Sequence, residues 1–230
     1  MKSKEKDSRK TEASGGKTRS EGDTDLGLHS SPLTPHPSLL TLPFEVEPPV
    51  LARAAKVKLV LFDVDGVLTD GRLTLGDDGQ EYKSFDALDG HGIKMLQRNG
   101  VAAGVISGRT SRVVEHRMKD LGITHVYQGC LEKLPVYRKL LDALGLHSGQ
   151  TAFVGDDVVD LPIMLRVGFA VAVQNAHPLV KKHAHWITPS AGGYGAGREI
   201  CELILYAQGA YDAEMQTYLI TNNSGQKKRT

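Results

Sequence analysis

The stretch that decides the fold is Val57–Gly71, VKLVLFDVDGVLTDG. It begins as a nearly unbroken run of β-branched and aliphatic residues, the composition of a strand buried on both faces of a parallel sheet. The run stops at Asp63, and Asp65 and Gly66 follow at once. Carboxylates gathered at the end of a core segment repel one another, and one takes up a proton unless a cation intervenes. A hard divalent ion such as Mg2+ resolves the conflict, because it takes carboxylate, water and phosphate oxygens in an octahedron. Gly66 allows a tight backbone turn directly behind the second aspartate.

Outward from this strand the chain alternates. GRLTLGDDGQEYKSF reads as a hairpin about Asp78-Gly79. GHGIKMLQRNG reads as a helix with Ile93, Met95 and Leu96 facing inward and Gly100 stopping it. VAAGVISGR is a second buried strand, TSRVVEHRMKDLG a helix, THVYQG a short strand, and LEKLPVYRKLLDALGL a helix with leucines at helical spacing. TAFVGDDVVD, LPIMLRVG and FAVAV supply a strand, a helix and a final strand. This alternation predicts an α/β fold, doubly wound and Rossmann-like, with a mostly parallel sheet. Ligands of such folds sit outside the carboxyl ends of the strands. Polar groups stand at those ends: Asp63 with Asp65, Ser107, Lys133 just past Gly129, and Asp156 with Asp157.

Asp63 and Asp156 suit a Mg2+ ion, while the Ser107 hydroxyl and the Lys133 charge suit the free oxygens of a phosphoryl group. Together they describe phosphoryl transfer through an aspartyl-phosphate. Each motif alone is weak. Asp-x-Asp-Gly also begins turns and caps, and a calcium loop requires Asp or Asn where Val67 stands. A glycosyltransferase-type Asp-x-Asp leaves Ser107 and Lys133 unexplained. Asp157 and Asp160 read as caps of the helix at Leu161, with Asp160 also placed to support a metal shell. The histidines are scattered and read as surface residues, with His91 a weak substrate contact; Trp186 and the leucine stripes read as core.

The net charge of +1 gives no field suited to nucleic acid or an anionic membrane. Cys130 and Cys201 have no metal or redox spacing and read as inert, reduced thiols. No apolar run approaches the ~20 residues of a membrane span. The opening MKSKEKDSRK lacks the apolar stretch of a secretory signal, so the expectation is a cytoplasmic protein. Residues 1–50, rich in Lys, Ser, Gly and Pro, read as a disordered extension, residues 51–220 as one domain, and residues 221–230 as a disordered tail.

The segments DVDG, VISGR, EKLP and GDDVVD, in that order, resemble the signature of the haloacid dehalogenase superfamily of phosphatases. DALDGHGIKML, YQGCLEK and GGYGAGREICELIL extend the likeness to its 3-deoxy-D-manno-octulosonate 8-phosphate phosphatases, over nearly all of residues 57–206. The resemblance implies Mg2+ on Asp63 and Asp156, with Asp65 counted in the metal set. It implies Asp63 as nucleophile, Asp65 as acid/base and substrate contact, and Ser107 and Lys133 as catalytic. It implies substrate contacts from Asp86, Ala87, Leu88, Asp89 and Gly90, and from Arg109, Arg117 and Lys133. The short span between Gly71 and Gly90 then leaves room for a hairpin flap and no cap domain. The family's homotetramers use such hairpins, with a neighbour's tail, to close the site. The expected role is hydrolysis of this eight-carbon sugar-acid phosphate in lipopolysaccharide precursor synthesis.

Three alternatives stand beside it. A nine-carbon, sialic-acid-type phosphate needs the same motifs. A phosphoacceptor receiver domain shares the fold but has no use for Asp65. A catalytically idle oligomerisation module would not retain every catalytic group.

Overall fold

The computed structural model describes residues 41–219. The central sheet has six parallel strands in the order β5-β4-β1-β6-β7-β8. These are β1 Leu59–Phe62, β4 Ala102–Ile106, β5 His125–Tyr127, β6 Thr151–Gly155, β7 Phe169–Ala172 and β8 Trp186–Ile187. Strands β1, β6 and β7 are buried along their whole length, as a sheet covered on both faces demands. Phe62, Phe153 and Phe169 are fully buried at its centre, each burial worth about 1.5–3 kcal/mol. The chain moves from β1 outward to β4 and β5, then returns across β1 to β6. The order therefore reverses beside β1, the crevice in which ligands of open sheets bind.

Helices cover both faces: α1 Pro48–Ala54, α2 Ala87–Arg98, α3 Arg112–Asp120, α4 Lys133–Leu144, α5 Leu161–Met164, α6 Pro178–His183, α7 Ala196–Ala207 and α8 Tyr211–Leu219. Helix α2 begins three residues before Gly90, because the Asp86 carboxylate caps it by accepting from the Leu88 N–H at 2.7 Å. Ile93, Met95 and Leu96 face inward as expected. Gly92 brings α2 against α7: a Cβ there would stand 3.1 Å from Arg198 Cα. The hairpin forms from β2 Thr74–Leu75 and β3 Glu81–Tyr82, with Gly79 at φ +79°.

Two expectations change. Phe169–Ala172 is not the last strand, since Trp186–Ile187 adds a parallel edge beyond it. A two-residue strand carries too little periodicity to be read from sequence. Trp186 is half-buried at that edge, 5.4 Å from the Phe44 ring, and packs against the core from its margin. The folded region also begins before residue 51. Helix α1 opens at Pro48, Val50 is buried, and Leu42 and Val46 pack against the core. The rest of the expected extension, residues 1–40, and the tail lie outside the described residues.

Candidate active site

Four loops meet at the carboxyl ends of the strands. The loop after β1 carries Asp63 and Asp65, the end of β4 carries Ser107, the first turn of α4 carries Lys133, and the end of β6 carries Asp156. All five line one cleft of about 370 Å3, with Arg109, Cys130, Leu131 and Asp157. A larger hollow of about 770 Å3 opens at the other end of the sheet, beside Lys58, Val101 and Gln150, and holds no carboxylate. The chemistry marks the smaller one.

Asp63, Asp156 and Asp160 bring carboxylate oxygens within 4.8 Å of one another. Lys133, its side chain 2% exposed, bridges two of them, 2.9 Å from Asp63 Oδ1 and 2.7 Å from Asp160 Oδ1. Asp160 is engaged on both oxygens, since its Oδ2 also accepts the backbone N–H groups of Asp156 and Asp157 at 3.1 and 3.4 Å. It orients the lysine and the loop. Asp156 differs, since its Oδ1 is buried without a partner. Burial, with Asp160, Asp63 and Asp157 adding, pushes Asp156 up to about 7. Burial and Asp160 push Asp63 up to about 6 against the pull of Lys133. Burial alone would depress the Lys133 ammonium, but Asp160 and Asp63 hold it above its ordinary value. A cluster short of positive charge, with an orphaned carboxylate oxygen, fits a divalent cation between Asp63 and Asp156.

Backbone packing fixes this arrangement. Gly66 has φ +97°, and a Cβ there would run into the Asp156 carboxylate. Gly192 and Gly193 lie directly on the same loop, with Gly193 N–H donating to Val67 O at 2.9 Å.

The side chain of Asp65 takes a different direction from those of Asp63 and Asp156. Its carboxylate is not among the converging three but pairs with Lys83 and lies 3.8 Å from Arg109 Nε. Asp63 and Asp65 are separated by one residue, and here the second turns toward the hairpin. Arg109 lines the cleft, and its Nη2 is 3.1 Å from Glu81.

The remaining expected substrate contacts do not line the cleft around Asp63. Asp86 is spent as a cap, Ala87 and Leu88 are exposed, and Gly90 is covered by the Arg117 side chain. Asp89 is buried, accepts the Arg198 N–H at 2.8 Å at the start of α7, and is pushed up to about 7 by burial. Arg117 packs 5.8 Å from the centre of the Phe85 ring, donates to Asp86 O at 3.3 Å and pairs with Asp120 at 3.2 Å. Its Nε is buried without a partner. His91 is exposed against Tyr218, 5.4 Å between rings. Sequence reasoning passed over Lys83 and Glu81. The signal for both was the alternation of β3, which sends residues 81 and 83 to one face.

The profile of the haloacid dehalogenase-like hydrolases matches residues 125–200. A 3-deoxy-D-manno-octulosonate 8-phosphate phosphatase from Yersinia pestis is 46% identical over 159 residues, covering 69% of this chain and 85% of the relative. The structure of a probable YrbI-family phosphatase from Pseudomonas syringae pv. phaseolica superposes with a TM-score of 0.76 at 51% identity, over 76% of this chain and all of the other. A 3-deoxy-D-manno-octulosonate 8-phosphate phosphatase from Moraxella catarrhalis, solved with magnesium, phosphate and the sugar acid, matches at TM-score 0.72 and 38% identity, over 74% and 97% of the two chains.

Proposed function

Because the chain belongs to the haloacid dehalogenase-like hydrolases, among their 3-deoxy-D-manno-octulosonate 8-phosphate phosphatases, we propose that it hydrolyses this eight-carbon sugar-acid phosphate to the free acid and phosphate. The observation that carries the reading is one cleft walled by Asp63, Asp65, Ser107, Arg109, Lys133 and Asp156. Asp63 and Asp156 would hold Mg2+, which would supply charge neutralisation at the phosphoryl oxygens.

Asp63 attacks phosphorus, and the bond from phosphorus to the sugar oxygen breaks. Asp65, entering the cycle protonated, gives that proton to the departing alkoxide. A water molecule then attacks the aspartyl-phosphate, Asp65 takes its proton, and the bond from phosphorus to the Asp63 oxygen breaks to release phosphate. Lys133 holds Asp63 in place at 2.9 Å and, with Ser107, faces the phosphoryl oxygens. Arg109 reads the sugar acid from the cleft wall, because a guanidinium matches a carboxylate with a two-pronged donor. Asp86–Gly90 and Arg117, which stand outside this cleft in the structure, complete the substrate contacts in the proposed complex.

The chain acts as a homotetramer in the cytoplasm, on the route to lipopolysaccharide. Leu73, Leu75 and Tyr82, 52, 63 and 52% exposed on the hairpin, support burial in an assembly. The deciding experiment is phosphate release from a panel of sugar phosphates that includes the eight- and nine-carbon acids. The eight-carbon acid phosphate is expected to be turned over with the highest kcat/KM. A preference for the nine-carbon acid would move the substrate, and inactivity toward all would make the chain an idle module.

A further inference from the structure

Two hairpin side chains reach toward the catalytic cleft from behind its wall. Glu81 and Lys83 are two residues apart and project to the same face, while Tyr82 between them points outward. The Lys83 side chain is 1% exposed, pairs with the Asp65 carboxylate, and lies 3.1 Å from Glu81 Oε1. Arg109 closes a ring, 3.1 Å from Glu81 and 3.8 Å from Asp65. Two cations thus alternate with two carboxylates. A buried ammonium persists only where its charge is matched, and here both matches are made by protein carboxylates.

We infer that Lys83 is a positioning residue that fixes the Asp65 carboxylate for its two proton transfers; the inference rests on the role given to Asp65 above. Lys83 is not among the residues lining the cleft, and its ammonium is taken up by Asp65 and Glu81. Among the described residues, the charged partners of the Asp65 carboxylate are Lys83 and Arg109. Of the two, Arg109 is the looser, with a side chain 47% exposed and the longer contact. Once Arg109 turns to the substrate, Lys83 alone holds Asp65. A fixed carboxylate matters because a misplacement of ~1 Å costs as much as ~10²-fold in rate. The hairpin thereby aligns the acid/base group where no cap domain stands among the described residues, and Glu81 keeps Lys83 and Arg109 in register at 3.1 Å each.

A mutant cycle tests this on the full chain with Mg2+, following phosphate release from 3-deoxy-D-manno-octulosonate 8-phosphate, Mg2+ affinity by calorimetry, and melting temperature. Lys83→Met is expected to lower kcat roughly 10- to 100-fold with KM changed by less than about 3-fold, and to leave Mg2+ affinity unaltered. Lys83→Arg, which keeps the charge, is expected to recover most of the loss. In an Asp65→Asn background, Lys83→Met is expected to cost less than about 3-fold more, because two residues acting as one unit are non-additive. An undiminished cost in that background, or a loss of Mg2+ affinity in place of kcat, overturns the inference. If Lys83→Met does not fold, Lys83→Gln takes its place in the cycle. Unimpaired turnover by Asp65→Asn alone would sink the role of Asp65 itself. A disabled Asp65→Asn beside a fully active Lys83→Met would sink only that of Lys83.

Discussion

Asp63 and Asp156 face each other across the cleft with too little positive charge between them. Burial and neighbouring carboxylates push them up to about 6 and about 7, whereas an unfolded aspartate titrates near ~4. The folded chain therefore carries the extra protons between those values. Their contribution to stability is complete below about pH 4 and is lost as pH rises through about 6 and 7. Mg2+ held by this pair, as proposed above, would bind its ionised form and oppose that loss. The rise in Tm on adding Mg2+ should be larger at about pH 7.5 than at about pH 5, and should vanish in Asp156→Asn. An equal rise at both pH values would assign the ion elsewhere. Asp63→Asn is expected to abolish turnover while the circular dichroism spectrum stays native, since an amide cannot attack phosphorus. Asp65→Asn should keep Mg2+ affinity and lose ~10²–10⁴-fold in kcat. Near-normal turnover by Asp63→Asn would remove the covalent route.

At the scale of elements, short segments do most of the positioning. The segment before α1 alternates: Leu42, Phe44 and Val46 are half-buried, while Thr41, Pro43, Glu45 and Glu47 are exposed. Phe44 tilts onto Trp186 at 37° and so covers part of the edge strand β8. Aromatic pairs of this kind contribute ~0.5–1.5 kcal/mol beyond area burial. Phe44→Ala is accordingly expected to cost about 1 kcal/mol in urea unfolding, with kcat unchanged because β8 is remote from Asp63 in the sheet order. An unaltered midpoint would mean that the segment adds nothing to the folded domain.

Over the whole molecule, the expected substrate residues divide into two groups. Arg109 and Lys133 line the cleft, while Asp86–Gly90 and Arg117 stand against α2 and α3. Arg117 still has a buried Nε without a partner, so its guanidinium keeps donor capacity beside Asp86. Arg117→Ala is expected to slow hydrolysis of the eight-carbon acid phosphate about one to two decades more than that of p-nitrophenyl phosphate. The size follows from a charge-assisted hydrogen bond worth ~1.5–3 kcal/mol. Equal losses on both substrates, with a lower Tm, would reduce Arg117 to a tie between α3 and the cap of α2.

The sequence by itself determined the alternating fold, the hairpin, and the residue types at the carboxyl ends of the strands. Those features are local: a buried parallel strand must be apolar along its length, and its polar end shows as an abrupt break, as at Asp63, Ser107 and Asp156. The resemblance joined them into one site before any geometry was known. What only the tertiary structure decided is where each carboxylate turns. Asp160, read as a cap with a supporting role, is the buried partner of Lys133, and the Asp65 carboxylate pairs with Lys83 eighteen residues away. The edge strand β8 and the packing of Leu42 and Val46 were equally silent. In each case the partner lies far along the chain, and the choice between water, metal and a distant side chain is made by burial, which one-dimensional spacing does not encode.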